Sequence, residues 1–204
     1  EIIERSMAAN PANAHGAHIK AHVLYERGED AAGLEWLDSW LPGYSPKGLM
    51  HCHISWHVAM FALVRGDSAR AWQVYRAQVH PGGAWGPALN VATDAPAFLW
   101  RAELAGQPRD AALWHELNGY VGKAFPKPGV AFVEVHRILS AIADDDRAGL
   151  EAYVAELDQR VASGKAPSGD VVPRIARGLM AYAAGDWGQA VAHLEPALAQ
   201  TVRI

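Results

Sequence analysis

Five short turns of one construction, spaced almost evenly along 204 residues, leave this chain few folds to choose from. They are Arg27-Gly28-Glu29, Arg65-Gly66-Asp67, Ala105-Gly106-Gln107, Asp144-Asp145-Asp146 and Ala184-Gly185-Asp186, and their centres step by 38 to 40 residues. Each turn follows an apolar stretch with helical periodicity and precedes a second helical stretch. Glycine supplies the left-handed conformation that closes the first helix, and the acid after it suits the positive end of the next. A fixed period of this length is the mark of stacked helix-turn-helix units. The expected fold is therefore all-α: a right-handed, tetratricopeptide-like helical-repeat solenoid of about five units, forming one domain over residues 1–204.

Local patterns agree with that expectation. Gly178, Ala181 and Tyr182 precede the last turn, and Ala190, Leu194 and Ala197 follow it on one helical face. Small Gly178 and Ala190 would let the paired helices approach closely. The segments 41–46, 81–83, 125–129 and 162–169 carry the proline, glycine and serine of connectors. Phe132-Val133-Glu134-Val135 alone looks strand-like, and its helical context overrides it. The chain opens without Met and stops at Thr201-Val202-Arg203-Ile204, which reads as a piece of a longer parent chain.

Composition excludes several classes. A formal charge of -4 gives no electrostatic reason to expect nucleic acid or a membrane surface. No run reaches the roughly 20 apolar residues of a membrane span. One cysteine, Cys52, cannot build a disulfide framework or a cysteine-based zinc cluster, and it fits the reducing cytoplasm.

Ten histidines are unusual at this length, and their positions matter more than their number. His18 and His22 are four apart, as are His53 and His57. On a helix that spacing puts both rings on one face, about 6 Å apart at Cβ, where they can share a divalent metal. Both pairs fall on first helices of neighbouring units, and first helices line the concave side of such arrays. Counting back from each turn brings Asp94, Glu134, His136 and Asp170 into the same zone. The expected site is a metal held by His18, His22, His53 and His57, with Asp94, Glu134 and His136 completing its shell or moving protons. Zinc, manganese, iron or nickel would suit that set, and a carboxylate would serve as general base toward a metal-bound water. Packing or hydrogen bonding of each ring to a neighbouring helix is the competing reading. His15, His51, His80, His115 and His193 fall off this face and read as incidental.

The tryptophans divide similarly. Trp36, Trp40, Trp72 and Trp187 have inter-helix spacings and are assigned to the core. Trp56, between His53 and His57, and Trp100 are placed to wall a ligand pocket, with Arg101 positioned to hold an anionic group. Cys52 and His53 diverge by about 100° around the helix and cannot form a nucleophile pair. The glycine-rich run at 81–86 lacks the lysine and hydroxyl of a phosphate loop. Asp144-Asp145-Asp146 lacks the spacing of a calcium loop.

Ala21-His22-Val23 followed by Gly33-Leu34-Glu35, then Cys52-His53-Ile54-Ser55-Trp56-His57 followed by Gly66-Asp67 and Ala71, resembles the tetratricopeptide repeat protein 38 family. There the second segment reads much like Cys-His-Asn-Tyr-Trp-His. The likeness also takes in Asp94, the Phe132 to His136 segment and Asp170. It implies a helical-repeat fold, a longer parent protein, and matching family positions for His18, His22, His53, His57, Asp94, Glu134, His136 and Asp170. This chain departs from the family with Glu134 in place of Asp and Ile54-Ser55 in place of Asn-Tyr.

Two uses of the groove compete. In one it holds a small ligand or metal, with Asp170 and the aromatic wall shaping the site and a hydrolase-like reaction possible there. In the other it is a scaffold for an extended or helical peptide, without catalysis. A clamp for an acidic peptide terminus would want several basic residues on the first helices. Lys20 and Arg101 are the main ones present, so the ligand site ranks first.

Overall fold

The computed structural model describes residues 2–200; Glu1 and the last four residues, 201–204, named above for the chain's end, lie outside the described residues. Those described form eleven α-helices and no strand. In order they are α1 (Ile2–Ala9), α2 (Ala14–Glu26), α3 (Asp30–Trp40), α4 (His51–Val64), α5 (Ser68–Val74), α6 (Ala88–Leu104), α7 (Ala111–Ala124), α8 (Ala131–Ala143), α9 (Arg147–Ala162), α10 (Val171–Ala183) and α11 (Trp187–Leu198). They fall into two compact units, Glu1–Arg109 and Asp110–Ile204. The strand-like run at Phe132 is helical, within α8.

All five turns are built alike. Gly28, Gly66, Gly106 and Gly185 have φ of 67°, 80°, 85° and 76°, and Asp145 takes the same left-handed conformation at 55°. In each, the amide of the left-handed residue donates to the carbonyl three residues back. The next amide donates five back, as in Gly66 N–H to Leu63 O (3.0 Å) and Asp67 N–H to Ala62 O (2.9 Å). These paired bonds satisfy carbonyls that a helix end otherwise leaves open. In three of the turns the following aspartate then caps the next helix: Asp67 accepts from Arg70 N–H, Asp146 from Gly149 N–H and Asp186 from Gln189 N–H. Stop and start signals are thus carried by three consecutive residues.

In the first unit α4 is the central element, packed against α2, α3, α5 and α6. Its sequence is apolar nearly all round, the mark of a buried helix, and almost every residue from His51 to Leu63 is buried or half-buried. Ile54, Val58 and Phe61 pack with Ala21 of α2 and Leu37 of α3. Gly33 permits a close approach of α3 to α4: a Cβ there would lie 2.3 Å from Phe61 Cζ. After α5 the chain makes a five-residue π-helical turn, Tyr75–Val79, which helical periodicity does not foretell.

In the second unit α8 packs on α7, α9 and α10 around Ile138, Leu150, Tyr153, Leu157 and Val172. The α10–α11 pair closes on Gly178, whose added Cβ would sit 2.5 Å from Leu194 Cγ and 3.4 Å from the Ala190 carbonyl oxygen. The tryptophan assignment needs one correction. Trp187 is 62% exposed, edge-on to Tyr182 at 5.3 Å, because it opens α11 on the helix's outer face. Trp36, Trp40 and Trp72 are half-buried. The fully buried indole belongs to Trp114.

Candidate metal centre

Helices α2 and α4 each bring a pair of rings to one place in the first unit. Asn13 caps α2, accepting from Gly16 N–H at 3.1 Å, and so fixes the start of the helix from which His18 and His22 project. His18, His22, His53 and His57 converge, and one ligand nitrogen from each lies within 4.8 Å of the other three. Nε2 of His18 stands 2.7 Å from Nε2 of His22 and 2.9 Å from Nε2 of His53. A zinc held by nitrogens at about 2.0–2.1 Å in tetrahedral geometry spaces them about 3.3–3.4 Å apart. That spacing falls within the range the cluster spans, so small ring rotations suffice. The four histidines can hold a metal ion.

Proton bookkeeping explains why a cation fits. His53 Nδ1 faces both oxygens of Asp94, at 2.9 and 3.0 Å. A carboxylate only accepts, so a neutral His53 would carry its proton on Nδ1 and turn its Nε2 lone pair to His18. One proton on His18 Nε2 can point along only one of its two short contacts. Nε2 of His57 is buried and has no hydrogen-bond partner among the described residues. Leaving such an atom unpaired costs about 1–3 kcal/mol. A cation at the centre would satisfy all four nitrogens together.

Burial and mutual repulsion favour the neutral form of His18, His22 and His57, the form in which imidazole binds a metal. Burial, then the charges of His53 and His22, hold His18 down at about 4, from an ordinary 6.5. Burial and the surrounding histidines push His57 down to about 2. His22 is lowered too, by burial first and His53 second. A consequence for stability follows. Groups whose folded pKa lies below 6.5 contribute stability that is complete above that pH. It is lost as pH falls toward about 4 for His18 and lower still for His57. In chelator, the urea midpoint should drop between pH 7.5 and pH 4.5; a midpoint that holds or rises would show that the rings are not protected from protons.

Asp94 lies behind this cluster. It is buried on α6, bonds the His53 nitrogen opposite the converging Nε2 atoms, and faces the Cys52 thiol at 4.0 Å. Burial, then Asp94, push the Cys52 thiol well above its ordinary range, so it stays protonated. A carboxylate on the far ring nitrogen orients a metal-binding histidine and raises its basicity. Asp94→Asn should therefore weaken metal affinity about 10- to 100-fold with the fold intact, and Asp94→Glu should recover part of it. Competition against a chromophoric chelator reads this; equal affinities for wild type and Asn variant would remove Asp94 from the site.

Trp56 forms one wall. Its ring stacks on His53 (5.7 Å between centroids, 7° between planes) and meets His57 edge-on at 4.9 Å. The Arg101 guanidinium lies over Trp56 at 5.6 Å and donates to the Ala97 carbonyl. Arg101 thus touches the aromatic wall, while Trp100 is half-buried on α6. His22 is the exposed member of the four and His57 the buried one, so the cluster opens toward solvent at His22.

Glu134, His136 and Asp170 belong to the second unit and have partners there. Glu134 is buried and accepts from Gly129 N–H at 2.7 Å. His136 Nδ1 donates to the Phe132 carbonyl at 2.7 Å. Asp170 precedes α10 and pairs with Arg174 at 2.6 Å. The incidental histidines divide: His15 is exposed, His115 pairs with Asp144 at 3.1 Å, and His51 is buried at the start of α4. Sequence reasoning missed the Cys52–Asp94 contact, whose thiol sits beside His53 in sequence.

No protein-family model matches this chain, and no solved structure matches it.

Proposed function

We propose that the first unit is a binding centre for one divalent transition metal, with His18, His22, His53 and His57 as ligands and Asp94 as the group that sets His53. The observation that carries this reading is the meeting of four imidazoles, one with a buried Nε2 that has no partner among the described residues, beside a carboxylate bonded to the far nitrogen of another. An all-nitrogen donor set favours zinc, nickel or iron over manganese, which prefers oxygen. Asp94 is already committed to His53 and is poorly placed to take a proton from a metal-bound water. That favours a binding or structural centre over the hydrolase-like alternative. The recurrence of one turn at a period of 38 to 40 residues supports a helical-repeat protein of the tetratricopeptide type. The lone cysteine, buried as a thiol, suits the cytoplasm, and no helix among the described residues is long and apolar enough to cross a membrane.

Metal analysis of untagged protein after dialysis against zinc, nickel and iron(II) tests the proposal. Wild type should retain about one ion per chain, as four ligands around one centre require. Retention near zero, or retention unchanged in a His57→Ala variant, would contradict it.

A further inference from the structure

The second unit contains a small cavity whose polar side chains are not bonded to one another among the described residues. It has a volume of about 130 Å³ and lies where the N-terminus of α8, the end of α9 and the segment before α10 meet. Most of its wall is aliphatic, including Leu157, Val161, Val172 and Pro173. Three polar side chains face it: Glu134, Arg160 and Ser168. Glu134 and Ser168 are 6% and 5% exposed. One Glu134 oxygen accepts from Gly129 N–H, and the other has no protein partner among the described residues. Among the described residues the Arg160 guanidinium donates to the Lys165 carbonyl, at 3.2 Å, and the Ser168 hydroxyl has no protein hydrogen bond. A carboxylate and a guanidinium thus border the same space without forming an ion pair.

Opposite charges held apart across an otherwise apolar cavity select a ligand that carries both. A simple amine would face Arg160, and a simple acid would face Glu134. The acid would leave the buried Glu134 unanswered and the amine the half-buried Arg160, and unanswered groups are the stronger part of discrimination in such sites. We propose that this cavity binds a small zwitterionic α-amino acid with an apolar side chain. Its ammonium group would bond Glu134, its carboxylate would bond Arg160 and the Ser168 hydroxyl, and its side chain would lie on Leu157 and Val172. The size is appropriate: a cavity of about 150 Å³ accommodates benzene, so this one fits about six non-hydrogen atoms, the size of alanine, and its open side leaves room for valine. Burial raises the Glu134 carboxyl above its ordinary pKa against the lowering by the Gly129 amide and Arg160, and a bound ammonium would further favour the ionised form.

Ligand-observed NMR and thermal shift on the full chain, with alanine, valine, isobutylamine and isobutyrate as probes, decide the matter. Alanine or valine should bind saturably at millimolar concentration, and the two singly charged probes should bind about tenfold or more weakly, the effect of one lost charged hydrogen bond. Glu134→Gln keeps an acceptor for Gly129 N–H, and it should weaken the amino acid about 10- to 100-fold without lowering the melting temperature. Arg160→Gln should do the same. No saturable binding of either amino acid, equal binding of isobutylamine, or unchanged affinity in the Glu134→Gln variant would overturn the proposal. Amide shifts at Gly129 and Ser168 separate binding here from binding elsewhere.

Discussion

A chain in which His18 and His53 are both replaced by alanine should retain no metal and should melt at the same temperature with zinc as with chelator. Wild type, by contrast, should gain about 2.7 kcal/mol when free metal stands at a hundred times its Kd. The pair is chosen because His18 Nε2 and His53 Nε2 face each other at 2.9 Å across the two helices, so their loss removes a ligand from each of α2 and α4. A second replacement separates binding from packing. His57 has a buried nitrogen with no partner, and His57→Leu replaces it with an apolar side chain. That variant should lose the metal yet match or exceed wild-type stability in chelator, by up to about 1–3 kcal/mol. If the histidines were merely structural, His57→Leu would instead lower the urea midpoint with no metal-dependent difference to remove.

Phe61→Ala should destabilise the first unit by about 3–5 kcal/mol, the usual cost of deleting a fully buried aromatic ring. Phe61 is fully buried and lies against Ile54, Val58, Ala21 and Leu37, one helical turn beyond His57. It also fills the space over Gly33, where an added Cβ would fall 2.3 Å from the ring. The two positions should therefore couple. Gly33→Ala alone should be destabilising, whereas in the Phe61→Ala background it should be neutral or favourable, because the methyl then enters vacated space. Urea midpoints of the four proteins give the coupling directly. Additive effects would mean that the α3–α4 contact is not held as described.

Which parts of this molecule were legible in its sequence follows from the range of the forces involved. The five turns were readable because each is a local device in which a left-handed residue and two backbone bonds end one helix. Even Asp145 conforms, since aspartate tolerates that conformation better than most side chains. The histidine pairs were readable for the same reason, since an i,i+4 spacing fixes a shared face without tertiary knowledge. Their convergence needed only neighbouring helices in register. The role of Asp94 was not readable: spacing places a carboxylate near His53, but the bond to Nδ1, on the side away from the other rings, depends on how α4 and α6 pack. Trp187 was misassigned because a large aromatic at a helical spacing says nothing about whether another helix covers it. The Glu134 cavity was hidden because Arg160 and Ser168 come from a helix end and a connector, which carry no periodic signal.

X-ray absorption at the zinc edge of the loaded, untagged chain tests the metal centre most directly. Four imidazole nitrogens at about 2.0–2.1 Å, with the multiple-scattering pattern of histidine rings, are the expected first shell. A shell dominated by oxygen, or one unchanged in the chain lacking His18 and His53, would contradict it.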